Sequence, residues 1–127
     1  LDALRIPLRA GRWISDADRA DTAPVAVINE AFRKAYLKDA EPLGQMVQLG
    51  RDLRAQVIGV VGDVQQRPGW GNLGPLAPVP SLYIPVTQAP ADFLNLVHGW
   101  FSPNWVVRGA MPQAQMAEKI RAAMEQA

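Results

Sequence analysis

The chain has 127 residues, 49% hydrophobic and 20% charged, with 13 Lys+Arg against 12 Asp+Glu and a formal charge of +1. That is the make-up of one folded domain with its own core; it excludes a disordered chain, and so even a charge balance argues against a nucleic-acid partner. Zero Cys and a single His exclude thiolate nucleophiles, iron–sulfur clusters, disulfides, Cys zinc sites and any metal centre that needs two imidazoles. The chain starts at Leu1 with no signal-peptide pattern, and no apolar run is long enough to span a bilayer, so it reads as a piece of a longer protein whose anchor and targeting signals lie elsewhere.

Eleven Pro and 10 Gly cut the chain into short elements. Leu4 to Trp13 reads as an extended entry segment, with Trp13 packed. Ser15, three residues before Asp18, predicts a capped short helical turn. Val25–Ile28 is a continuous apolar run, the pattern of a buried strand. Asn29 is placed as an N-cap. Phe32, Ala35 and Tyr36 then recur at helical spacing and should pack on the sheet, with Arg33, Lys34 and Lys38 on the other face. Pro42 stops this helix. Met46–Leu49 and Ala55–Val64 predict two strands joined as a hairpin across Gly50, Arg51 and Asp52. The second is rich in β-branched residues, which suit a pleated, packed surface.

Residues 65–80, with four Pro and three Gly, read as a long loop, a feature that tends to be functional in a compact domain. Leu82–Val86 predicts an edge strand, because Pro85 lacks the N–H a central strand needs. Phe93–Phe101 is apolar and is read as helical. Trp105–Val107 predicts a last strand. Pro112 opens a final helix with Met116, Ile120 and Met124 along one face.

Several patterns imitate chemistry without meeting its requirements. Gly69-Trp70-Gly71-Asn72-Leu73-Gly74 matches G-x-G-x-x-G, yet Arg67 and Pro68 precede it and Pro75, Pro78 and Pro80 follow, so no helix can open at its end to receive a phosphate. Asp16, Asp18 and Asp21 resemble the start of a calcium loop, but Ala20 and Asp21 stand where an oxygen ligand and a Gly belong; capping explains them better. His98 with Ser15, Ser81 or Ser102 lacks any strained nucleophile turn and reads as a structural His among Leu96, Val97 and Trp100. No catalytic, cofactor or metal residue is assigned. Trp70 stands apart, because little neighbouring chain is available to bury it. With Arg67 and Asn72 it is the candidate partner contact, the alternative being that it folds back over a sheet edge.

The series G-R at 11–12, D-A-D-R-A-D at 16–21, V-A-V-I-N-E-A-F at 25–32, P-L-G at 42–44, V-I-G-V-V-G-D-V at 57–64, L-Y-I-P-V-T-Q at 82–88 and W-V-V-R at 105–108 resembles, in order and spacing, the MacB-like periplasmic core domain of FtsX-like ABC transporter permeases. The resemblance implies an α+β fold with a small mixed sheet and short helices. Residues 1–88 would form an inserted lobe. Residues 89–127 would supply the strand and helix returning to a porter-like α/β lobe whose first half is expected upstream of Leu1.

It also implies a domain set between two transmembrane segments on the periplasmic face of a bacterial inner membrane. Such a domain is non-catalytic and cofactor-free. It relays conformational change and contacts substrate or partner proteins, while a cognate ATPase hydrolyses ATP in the cytoplasm. A periplasmic protein or peptide is the expected further partner. The 65–80 loop departs from the family pattern in being longer and richer in Pro and Trp. The alternative reading is a ligand- or peptide-binding module that uses the Trp70 loop as a lid. For the isolated chain the apolar C-terminal strand and helix predict a homodimer.

Overall fold

The computed structural model describes residues 3–49, 53–67, 75–101 and 106–126. These form a five-stranded mixed sheet, a two-stranded ladder at one end of it, and three short α-helices. The longest strand, β4 (Leu53–Val61), is the hub. Along one edge it carries two antiparallel strands end to end: β3 (Met46–Leu49) beside residues 53–56 and β1 (Leu8–Gly11) beside residues 59–61. Along the other edge β2 (Val25–Asn29) runs parallel to it. A two-residue strand, β7 (Leu82–Tyr83), closes that side antiparallel to β2. The fifth and sixth strands, β5 (Gln65–Gln66) and β6 (Ala77–Pro78), pair with each other.

Every residue of β2 is buried, as a continuous apolar run requires when both faces are covered. On one face Ala26 and Ile28 join Val47, Ala55, Val57 and Val60, and Phe32, Leu37, Leu82 and Ile84 close over them. On the other, Val27 stands opposite Tyr83, whose ring meets Trp13 edge-on at 5.5 Å. Directly opposed residues share a face, so the chain after β1 supplies the second cover.

In β4 the buried positions shift from odd to even numbers part-way along, from Ala55 and Val57 to Val60. The cause is a bulge. Ala26 pairs with Val57 but Val27 pairs with Gly59, so Ile58 is skipped. Its carbonyl accepts from the Arg12 N–H instead. A bulge inserts one residue and resets the alternation. Gly59 makes the close approach possible: a Cβ there would run into the Arg12 carbonyl oxygen.

Asn29 caps α1 (Glu30–Phe32) by accepting from the Phe32 N–H at 2.9 Å. The helix then widens into one π-helical turn, Arg33–Leu37, ending at Lys38 with φ +51. That turn corrects one expectation. In a π-helix, neighbours along the axis lie five residues apart rather than four. Phe32 and Leu37 therefore face the core, and Tyr36 is left 66% exposed, touching Phe32 at 4.7 Å between ring centroids.

Other expectations change too. Residues 3–5 form a turn with Arg5 at φ +52, so the extended entry is confined to β1. Ser15–Asp18 is the expected capped turn, the Asp18 N–H donating to the Ser15 carbonyl and its carboxylate accepting from the Ser15 N–H at 2.8 Å, and it does not continue into a helix. The strand placed over 55–64 covers Leu53–Val61. The 65–80 loop is pinched at its base by β5 and β6. The segment 93–101 is helical, as α2 (Ala91–Trp100). Val106 and Val107 are exposed and join no ladder, with no described strand beside them to supply one; Trp105 lies outside the described residues. The last helix, α3 (Gln113–Glu125), follows Pro112 as its cap residue. Neither α2 nor α3 has a buried residue.

Candidate functional site

Parallel strands β2 and β4 end side by side, and their C-terminal ends carry the base of the 65–80 loop. Asn29, fully buried, organises this end. Its Oδ1 accepts from the N–H groups of Phe32 and Ser81, and its Nδ2 donates to the Val79 carbonyl at 2.8 Å. Its backbone N–H donates to the Ser81 carbonyl. One amide thus satisfies both the start of a helix and the returning arm of the loop, and burial without such partners would be costly. Asp63 accepts from the Ala31 N–H at 2.8 Å and so covers a second orphan donor of the same helix. Outside it, Glu30 lies 3.5 Å from Arg9.

The loop's arms are joined by the β5–β6 ladder and by a Gln66 to Ser81 side-chain bond at 3.2 Å. Arg67 follows this stem and is exposed. Trp70 and Asn72, with the whole G-x-G-x-x-G run, lie outside the described residues. Beside the stem an open apolar groove of about 370 Å³ runs between Phe32, Tyr36 and Leu37 on one side and Pro80 and Leu82 on the other. Tyr83, within the sheet, has its hydroxyl pushed to higher pKa by burial.

The residues that imitate catalytic groups are occupied elsewhere. Ser15 Oγ donates to Asp18 and Ser81 Oγ to the Val79 carbonyl. His98 is exposed in the last turn of α2, so the expectation that Leu96, Val97 and Trp100 bury it does not hold: α2 lies outside the core. Ser102 lies outside the described residues. In the acidic cluster, Asp18 receives both guanidinium nitrogens of Arg12 at 2.7 Å, and Asp21 pairs loosely with Arg19 at 3.6 Å. Among the described residues no three His, Asp or Glu side chains converge as a metal site. What this end of the sheet can do is hold together the two arms at the loop's base.

Reading the sequence missed three features: the Arg12–Asp18 pair, the second role of Asn29, and the reach of Gln88. Only the first left a trace, a basic and an acidic side chain six residues apart.

The family model of the MacB-like periplasmic core domain matches residues 1–127. The chain belongs to that family. It is a periplasmic domain of a MacB-like ABC transporter permease, on the extracytoplasmic side. Among solved structures the periplasmic region of MacB from Actinobacillus actinomycetemcomitans shares the fold, with 19% identity and a TM-score of 0.58. The match covers 95% of this chain and 49% of that one, so the chain spans about half the length of the MacB region. A domain of a protein assigned as a permease in Porphyromonas gingivalis matches at 16% identity and a TM-score of 0.48, over 95% of this chain and 52% of that one. No curated protein matches it. The MacB-like fold carries the mixed α+β architecture expected from the sequence, and among the described residues no helix is long and apolar enough to cross a membrane.

Proposed function

We propose that this domain is a non-catalytic relay in an inner-membrane ABC permease, passing conformational change between the membrane-spanning segments and substrate or partner proteins in the periplasm. The observation that carries this is the family match over residues 1–127. The division of the chain supports it: residues up to 88 hold the sheet, while 89–127 hold α2 and α3, in which no residue is fully buried. A firm core with an appended arm suits a part that transmits movement. The cognate ATPase and the transmembrane segments are its partners within the transporter. The loop bearing Arg67, Trp70 and Asn72 is its contact for a periplasmic protein or peptide, supported by the way Asn29 and the β5–β6 ladder fix the loop's base.

The test uses the full-length permease with its ATPase in lipid. Spin labels at Arg67→Cys and Glu118→Cys should report different distance distributions in the nucleotide-free and ATP-bound states. Identical distributions in both states would remove the relay. Photo-crosslinking from position 70 in cells should capture a periplasmic protein or peptide, and capture of lipid alone would remove the contact. The absence of catalysis is tested separately: turnover of ATP, esters or peptides by the pure chain, lost in His98→Ala, would contradict it.

A further inference from the structure

Strand β7 ends at Tyr83, and at Pro85 the chain leaves the sheet for a 3-10 turn, Val86–Gln88. This leaves the first residue of β2, which pairs with Gln56 of β4 on one side, without a ladder partner on the β7 side. The Asn29 N–H points toward β7 and donates to Ser81. By the two-residue period of a strand, the Val25 N–H points the same way. Pro85 stands where its acceptor belongs, but the Pro85 carbonyl is taken by the Gln88 N–H at 3.0 Å inside the turn.

The Gln88 side chain supplies the missing acceptor. Its Oε1 accepts from the Val25 N–H at 3.0 Å, across 63 residues of sequence. On the opposite side, its Nε2 lies 3.0 Å from the Arg19 carbonyl, 3.1 Å from Thr22 Oγ1 and 3.2 Å from the Ala23 carbonyl. Two N–H groups are shared among these three acceptors. The amide can sit only this way round. Val25 offers only a proton there, the two carbonyls offer only lone pairs, and Thr22 spends its own proton on the Arg19 carbonyl at 2.8 Å. Next door, Thr87 Oγ1 donates to the Asp18 carbonyl.

One amide therefore holds the irregular 19–23 segment, the start of a central strand and the turn from which α2 departs after Ala89 and Pro90. We propose that Gln88 is a latch that couples the 19–25 segment to the root of the α2 arm, so that the two open together. Loosening at either end costs the same hydrogen bonds, and such coupling is reciprocal. Its use in transport rests on the relay proposed above; the coupling itself belongs to the 127-residue chain and is tested there.

Amide hydrogen exchange on that chain reads the latch directly. In Gln88→Ala, exchange at Val25 should quicken about tenfold, together with Thr22 and Leu94, whose N–H groups donate to the Arg19 and Pro90 carbonyls, while Val57 and Val60 stay as protected as before. Gln88→Glu, which offers the Arg19 and Ala23 carbonyls only a negative oxygen, should likewise release 19–23. Pro90→Gly, made at the arm's root, should quicken Val25 when Gln88 is present and add nothing when it is Ala. Three outcomes overturn the proposal: unchanged exchange at Val25 in Gln88→Ala, additive effects of the Pro90 and Gln88 changes, or equal acceleration of Val57 and Val60. The last would mean that Gln88 contributes only to overall stability. A working latch beside unchanged spin-label distances in the permease would locate the failure in the relay instead.

Discussion

Asp18 is only 7% exposed, yet it keeps its charge. The paired hydrogen bonds from Arg12 are the main reason, and the Ser15 N–H at 2.8 Å adds to them. Together they hold its carboxyl well below the usual carboxylate range. A depressed folded pKa stabilises the fold above the unfolded value of about 3.9, and that stability drains away as pH falls from there toward the folded value. Asp18→Asn is therefore expected to cost about 2 kcal/mol at pH 7. It should also flatten the loss of stability between about pH 5 and pH 2, since the group that titrates there is gone. Urea unfolding at pH 7 and at pH 3 checks both; an equal acid slope in the two proteins would assign the titration to another carboxylate. At Lys38 the sign reverses. Its φ of +51 and ψ of −115 place an L-residue in a conformation that favours glycine. Lys38→Gly should stabilise the chain by about 1 kcal/mol, seen as a higher urea midpoint with an unchanged slope.

At the level of elements, β4 sets the fold because three strands pair with it. Val60 lies just past the Ile58 bulge, 3% exposed, on the face that α1 and the π turn cover. Val60→Asp would bury a carboxylate with no partner at the point where β1, β2 and β4 meet, and should cost several kcal/mol. The thermal midpoint measures it; melting within a degree or two of the parent would place the strand at the surface. The π turn explains why this face is closed by Phe32 and Leu37 rather than Phe32 and Tyr36. One extra residue in the turn moves the apolar stripe by one position.

Over the whole molecule, apolar surface is distributed unevenly. The centre of the sheet is covered on both faces, whereas Phe93, Leu96, Trp100 and Phe101 on or beside α2, and Val106 and Val107 after it, are all more than half exposed. An open pocket of about 490 Å³ between Leu4 and the stretch Val106–Met116 adds to this surface, tied by Arg108 to the Ala3 carbonyl at 2.7 Å. Exposed apolar patches of this kind favour self-association. We expect the isolated chain to dimerise with concentration through α2 and α3; the described residues Val106–Arg108 form no strand edge to take part. Sedimentation over a wide concentration range tests it. Trp100→Ser should shift the equilibrium toward monomer, and a monomer at all concentrations would mean that the arm does not self-associate.

Much of this was readable in one dimension because it is local. The run Val25–Ile28, the Asn29 cap three residues before the Phe32 N–H and the 46–49 strand each depend on side chains a few residues apart; the strands placed over 55–64 and 82–86 form but end at Val61 and Tyr83, and of the Met116, Ile120 and Met124 face only the first two are half-buried. The family series told the same story over the whole chain. Strand order was not readable, nor was the arm's lack of burial, which left His98 exposed rather than packed. The π turn hid Tyr36, because a helical stripe is read at 3.6 residues and gives no notice of one inserted residue. The Ile58 bulge and the reach of Gln88 are further still from local. Whether a residue is skipped in the pairing, or an N–H is left for a side chain 63 residues away to find, is decided only when strands have taken their register. Register is set by the competition of every strand for the same buried face, and no short stretch of sequence contains that competition.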